Sequence, residues 1–199
     1  MKKFISVMLV AAMAVTALTG CGSNSGSSSK KDADKYYIGG IGPTTGATAI
    51  YGTAVKNGAQ IAVDEINAAG GINGKQIEYR FEDDQNDAEK AVNAYNTLKD
   101  WGMQVLMGTV TSAPCVAVAD KTNADNMFQI TPSGSSVECA QNPNVFRVCF
   151  SDPDQGAASA TYIAENKLAE KIAVIYDSSD VYSSGIYEKF AAEAANQGL

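Results

Sequence analysis

The sequence contains no histidine at all. That removes the commonest general base near neutral pH and the commonest zinc ligand, so any catalysis would rest on carboxylates, lysines and tyrosines. Positive charge is also scarce. Fifteen lysines and arginines face 22 acidic residues, and setting aside Lys2 and Lys3 of the leader leaves 13, a balance of about −9. With no basic cluster in the body of the chain, nucleic acid is excluded as a partner. Cysteine is limited to four residues, and none stands in a paired metal-ligand spacing, so neither a metal nor a cofactor is expected.

What is present begins with a leader. Lys2 and Lys3 precede an apolar run from Phe4 to Leu18, too short to span a bilayer, which ends in Leu18-Thr19-Gly20-Cys21. The ending looks like a bacterial lipoprotein box, in which the cysteine is acylated after cleavage. Residues 1–21 are therefore expected to be a lipoprotein signal peptide and Cys21 a lipid anchor on the outer side of the cell membrane. A plain signal peptide with a chance cysteine is the alternative. Residues 22–35 are Gly, Ser and Asn followed by a charged stretch, a composition that buries no core and reads as a flexible tether.

From residue 36 onward strand and helix patterns alternate. A helical stripe at positions 51, 55, 59, 62, 66 and 69 stops at Gly70-Gly71; Lys75 to Asp83 alternates as a strand; a second stripe runs from Ala88 to Trp101. Val105 to Met107 reads as a strand, Ser112 to Asn126 as a helix, Met127 to Thr131 as a strand, and Val145 to Val148 extends again. After Ser151-Asp152-Pro153, a capped start with proline in the first turn, a helix continues to about Lys167. Lys171 to Tyr176 reads as a buried strand and Ser183 to Asn196 as a helix. The pattern predicts an α/β fold, a doubly wound parallel sheet. Residues 36–150 form a first lobe, and residues 151–199 open a second that is expected to be cut short at Leu199.

The glycine-rich stretch after the first strand is not a nucleotide cradle. Gly40, Gly42 and Gly46 are one residue too widely spaced for G-x-G-x-x-G, Pro43 removes an amide from the loop, and no acid follows at the required distance. It is a turn that lines a cleft, with Thr44, Thr45 and Tyr51 near it. In an open parallel sheet ligands sit beyond the carboxyl ends of the strands. Thr111 and Ser112 follow the third strand there, and Ser133, Gly134, Ser135 and Ser136 follow the fourth. Hydroxyls and amides at a helix start suit a carboxylate, although serine is a favoured helix cap with or without a ligand.

Cys139 and Cys149 flank the turn-forming Gln141-Asn142-Pro143-Asn144, able to bring them together as a disulfide staple in an exported protein. Cys115 reads as an inert core thiol.

The series Gly42-Pro43, Tyr51-Gly52, Ala68 to Lys75, Asp83-Asp84, Thr111-Ser112, Ile130-Thr131-Pro132, Arg147 and Asp152-Pro153 with Gln155-Gly156 resembles branched-chain amino acid-binding proteins. These are extracytoplasmic receptors of ABC importers with the type I periplasmic binding fold. The resemblance implies two α/β lobes that close on an amino acid delivered to a membrane permease. It implies that Ser112 holds the α-carboxylate, that Ser133 and Ser135 contact carboxylate and ammonium, and that Tyr51 and Tyr182 line the pocket. It also implies a monomer, and an ammonium-anchoring acid beyond Leu199. Relatives often carry alanine at the place of Ser133 and threonine at that of Ser135. Two other readings stand beside it: a sensory receptor lobe for an amide or aromatic acid, and an enzyme built on the acid cluster Glu82-Asp83-Asp84, whose plainer meaning is a solvated strand end.

Overall fold

The computed structural model describes residues 32–199; the leader, Cys21 and the tether as far as residue 31 lie outside the described residues. Within them the order is β1 (Lys35–Gly42), α1 (Ala49–Ala68), β2 (Gln76–Asp83), α2 (Ala88–Trp101), β3 (Val105–Gly108) and α3 (Ser112–Ala124). Then come β4 (Phe128–Thr131), a 3-10 turn (Val137–Ala140), β5 (Val145–Arg147), α4 (Asp152–Glu165) and α5 (Val181–Asn196). The five strands form one parallel sheet in the order β2-β1-β3-β4-β5. Chain direction across the sheet reverses at β1, which opens a crevice beyond the ends of β1 and β3.

The alternation of side chains along each strand sorts the sheet into two faces. Ile41 and Leu106 lie on the face covered by α2, where Ala91, Ala94, Tyr95 and Leu98 form the buried stripe, with Val118 of α3 and Met103 completing the cluster. Helix α2 is well delimited. The Asp87 side chain accepts the Lys90 amide, and Gly102 ends the helix in the left-handed conformation at φ 80°. Trp101 packs edge-on against Tyr37, with ring centroids 5.2 Å apart.

On the opposite face α1 is present where the pattern predicts it, but it turns a different side inward. Gly52 and Val63 are its buried residues, while Ile50, Tyr51, Ile61 and Ile66 are exposed. The cause is a close approach: a Cβ on Gly52 would collide with the Pro43 carbonyl. The helix therefore rests on the β1–α1 loop through its glycine, and this rotates the predicted stripe partly into solvent.

The expected strand at Lys171 to Tyr176 is not formed. The segment has no strand partner among the described residues; Val174, Ile175 and Tyr176 are exposed, and the Tyr176 ring stacks on that of Tyr187. A β-strand is held by its neighbours' ladder, and among the described residues no strand lies beside it. Helices α4 and α5 instead pack on one another. Gly156 of α4 permits this, because a Cβ there would stand 2.9 Å from the Phe190 amide nitrogen.

Two glycines of α1 make a matched test. Gly52→Ala is expected to lower stability by about 1–3 kcal/mol through overpacking against Pro43. Gly58→Ala, where a Cβ meets nothing within 4 Å, is expected to raise it by about 0.5–1 kcal/mol. Urea unfolding of both variants checks the sign of each.

Candidate functional site

The site begins at the start of α3. Thr111, extended at φ −110° and ψ 156°, precedes the helix without capping it, and Pro114 in the first turn has no amide to donate. The amides of Ser112 and Ala113 therefore have no acceptor among the described residues. The buried Thr111 hydroxyl also lacks a partner. Uncapped amides at the positive end of the helix dipole, beside an unpaired hydroxyl, are a place for an anionic oxygen.

The loop after β4 is tied to the same helix start. The amides of Ser135 and Ser136 both donate to Ser112 Oγ, each at 3.2 Å. These two bonds occupy the hydroxyl's lone pairs and leave its proton with no acceptor, so Ser112 has one donor to offer. Ser133 donates its own hydroxyl to the Val110 carbonyl at 2.6 Å. Arg147 of β5 donates to the carbonyls of Ser135 and Ser136 at 3.1 and 3.0 Å, and the Asp152 amide at the start of α4 donates to Ser135 O at 3.0 Å. Beneath them runs a buried polar network. Thr122 donates to Gln129 Oε1 at 2.6 Å, Gln129 donates to the Gly108 carbonyl at 2.8 Å, and Thr131 donates to the Thr109 carbonyl at 2.7 Å.

These loops border a cavity of about 530 Å³. Six of the seven residues read from the sequence line it: Tyr51, Thr111, Ser112, Ser133, Ser135 and Tyr182. Gly134 does not. It is buried behind the wall, its amide donating to Thr131 Oγ1 at 2.8 Å, and a Cβ on it would stand 2.7 Å from that oxygen and 3.1 Å from Cys115 Cβ. Thr44 and Thr45 are also turned elsewhere. The Thr44 amide and Thr45 hydroxyl donate to the Asp83 carboxylate at 2.8 and 2.6 Å.

Residues that sequence reasoning missed include Thr48, Asn86, Val110 and Phe150, with Cys149 and Asp180. Asp180 is the one charged side chain in the lining, and it caps α5 by accepting the Ser183 amide at 3.0 Å. An Asp two residues before an aromatic helical start is a readable cap signal, but nothing in its spacing points to a cavity. Asn86 sits at φ 61° in the tight β2–α2 turn, a geometry asparagine tolerates and which no periodicity announces.

Each member of the Glu82-Asp83-Asp84 cluster has a local structural partner. Glu82 pairs with Arg80 at 2.7 Å. Desolvation is the largest single influence and raises the Asp83 carboxyl, but the Thr45 hydroxyl and the Thr44 and Gln85 amides together outweigh it and hold the carboxyl below its ordinary value. Asp84 is buried, and burial pushes its carboxyl up to about 6, with the Asp83 charge adding to the rise and the Asn86 amide offsetting it. Burial likewise raises Asp152, offset by the Ser135 hydroxyl and the Arg147 guanidinium.

The cysteines are arranged otherwise than the Cys139–Cys149 staple anticipates. Cys115, Cys139 and Cys149 are all free thiols, and Cys149 lines the cavity. The 3-10 turn buries Cys139 against α3, where its thiol donates to the Ser112 carbonyl oxygen at 3.7 Å. Among the described residues no group of three or more acidic or cysteine side chains is placed to hold a metal, and no helix is long and apolar enough to cross a membrane.

A parallel sheet with a cleft at its switch point, floored by an uncapped helix start, is the architecture of a ligand-binding α/β lobe. The family model described as Periplasmic binding protein matches residues 35–199, and the chain belongs to that family. More narrowly, it is 36% identical over 163 residues to the Leu/Ile/Val-binding protein homolog 3 of Brucella melitensis, covering 81% of this chain and 44% of the relative. It is 32% identical over 169 residues to a leucine-, isoleucine-, valine-, threonine- and alanine-binding protein of Pseudomonas aeruginosa, covering 84% and 45%. Among solved structures, the branched-chain amino acid transporter substrate binding protein LivJ of Streptococcus pneumoniae, in complex with isoleucine, superposes with a TM-score of 0.76 at 32% identity. That match covers 80% of this chain and 46% of LivJ. The chain thus spans less than half the length of these relatives. The relatives and the solved structure named here are themselves called binding proteins for branched-chain amino acids.

Asp84 supplies a pH prediction. Its folded value near 6 lies above the ordinary 3.8, so the folded state holds its proton more tightly than the unfolded chain. The stability this contributes is full below about pH 4 and is lost as pH rises through 6, a swing on the order of 2 kcal/mol. Asp84→Asn keeps the acceptor for the Asn86 amide and removes the charge. It is expected to raise Tm at pH 8 while changing it little at pH 4, read by thermal unfolding at the two pH values.

Proposed function

We propose that the protein is an extracytoplasmic, lipid-anchored solute-binding protein that captures a branched-chain amino acid and delivers it to the permease of an ABC importer. The observation that carries this reading is the α3 start. Two amides without acceptors, the unpaired Thr111 hydroxyl and the spare proton of Ser112 belong to three consecutive residues that line one cavity. A carboxylate there meets only donors, and Asp180 gives the same cavity a negative charge suited to an ammonium. Val110, Phe150, Tyr51 and Tyr182 provide the apolar wall for a side chain. The relatives named for leucine, isoleucine and valine support the substrate class. The partners engaged by each carboxylate of the acid cluster favour binding without catalysis, and the protein acts as a monomer without a cofactor.

A second reading has its own support. Three aromatic side chains in the lining, Tyr51, Phe150 and Tyr182, suit an aromatic acid, whose carboxylate would use the same donors, in a transport or sensory receptor. The pocket's shape decides between them, since one methylene is worth only about 1–3 kcal/mol.

Calorimetry of the complete protein with leucine, isoleucine, valine and an aromatic carboxylic acid tests both. The expected result is micromolar affinity for an aliphatic amino acid, about −8 kcal/mol, weakened roughly 10–100-fold by Ser112→Ala. Heat with the aromatic acid alone selects the second reading, and no heat with any ligand refutes both.

Anchoring is tested by expression with the native leader in bacteria. The protein is expected to partition with detergent, and Cys21→Ser to appear in the aqueous fraction. Equal partitioning of the two contradicts the anchor.

A further inference from the structure

We propose that Cys115 and Cys139 are joined by a disulfide bond in the exported protein, riveting the carboxylate-binding start of α3 to the serine loop. Four observations meet here. Both residues are fully buried. Cys139 Sγ lies 3.7 Å from the Ser112 carbonyl oxygen, one helical turn before Cys115. Gly134, at the head of the segment leading into the 3-10 turn, lies so near Cys115 that a Cβ would stand 3.3 Å from its sulfur. Each thiol is the largest influence on the other's proton affinity. Buried free thiols are common core residues, but two that interact in a protein of an oxidising compartment are candidates for a bond once an oxidant is present. The inference rests on the extracytoplasmic part of the proposed function and not on the ligand.

The chemistry balances with a disulfide-bearing oxidant of thiol-exchange type. Cys139 sulfur first bonds to one oxidant sulfur, whose partner leaves as a thiol. Cys115 thiolate then attacks Cys139 sulfur, and the remaining oxidant sulfur leaves. Two protons and two electrons pass from the pair to the oxidant, which ends as a dithiol. Cys115 suits the attacking role. The Gln129 side-chain amide donates to its sulfur at 3.6 Å, which favours the thiolate. Since both sulfurs are covered in the folded chain, the exchange belongs to folding after export, before the 3-10 turn closes over α3.

The bond would close a loop between residues 115 and 139 that contains every site residue of the β4 loop. By restricting the open chain it stabilises the fold, and by pinning the Ser112 and Ser135 region it lowers the ordering cost of a ligand.

The test is peptide mapping of the complete protein, purified from an oxidising compartment without reductant and alkylated in denaturant. A peptide linking Cys115 to Cys139, with Cys149 alkylated, is expected. Recovery of Cys115 and Cys139 as alkylated peptides, or a Cys139–Cys149 link, overturns the proposal. Reductant added under partly unfolding conditions is expected to lower the wild-type Tm by roughly 5 °C and leave the Cys115→Ala/Cys139→Ala variant unmoved. An equal response of the two also overturns it. Free thiols in a protein that binds leucine would sink this inference alone, and an intact bond in a protein that binds nothing would sink the ligand reading alone.

Discussion

The hydroxyl of Ser112 is the point through which the site's geometry passes. It accepts two amides from the loop after β4 while standing at the first residue of α3, so two segments from different strand ends share one oxygen. Fixing a backbone residue costs about 1–2 kcal/mol, and loops at strand ends have little apolar area to repay it. Here the repayment is polar. Arg147 holds the carbonyls of the same two serines, and Asp152 adds an amide from the start of α4. Three elements, α3, β5 and α4, converge on a stretch of two residues, and the donors at the start of α3 stay in place because their neighbours are already spoken for.

Below this point the network of Thr122, Gln129, Thr131 and Thr109 does what an apolar core would do less specifically. A fully buried glutamine in a central strand costs several kcal/mol unless both ends of its amide are satisfied. Gln129 meets that condition with the Thr122 hydroxyl and the Gly108 carbonyl. Directional bonds of this kind fix the distance between the ends of β3 and β4, which apolar packing alone leaves free to slide. Together with the reversal of strand order at β1, they set where the crevice opens and how wide its floor is.

The alternation of strands and helices as far as α4 and six of the residues that line the cavity were legible in the sequence, because periodicity, the stop at Gly70-Gly71 and the positions of loops at strand ends carry that information. The inward face of α1 was not. A glycine contributes nothing to an apolar stripe, and it was the lack of a side chain at Gly52 that turned the helix. Nor was the unpaired state of residues 171–176 legible, since an apolar run declares a strand without declaring a neighbour. Gly134 entered the predicted site by its position between two serines. Its role lies in closeness to Thr131 and Cys115, a contact between distant segments. Cys139 was matched to Cys149 by nearness along the chain, whereas the 3-10 turn directs it to the start of α3, 27 residues before it.

The cavity's two tyrosines explain how a small, mostly uncharged site reaches useful affinity on the proposed reading. Tyr51 and Tyr182 line the cavity yet are 61% and 41% exposed, so they hold apolar surface that a ligand would remove from water. Each 100 Å² or so buried contributes about 2.5 kcal/mol before ordering costs. Donors at the α3 start lose water when a carboxylate arrives, and their net contribution is accordingly modest. Orientation therefore comes from the amides and hydroxyls, and most of the driving force comes from the aromatic rim. Because Tyr51 belongs to α1 and Tyr182 to α5, a ligand that buries both rings draws the two helices toward each other, and the free energy of binding is spent in part on holding them there.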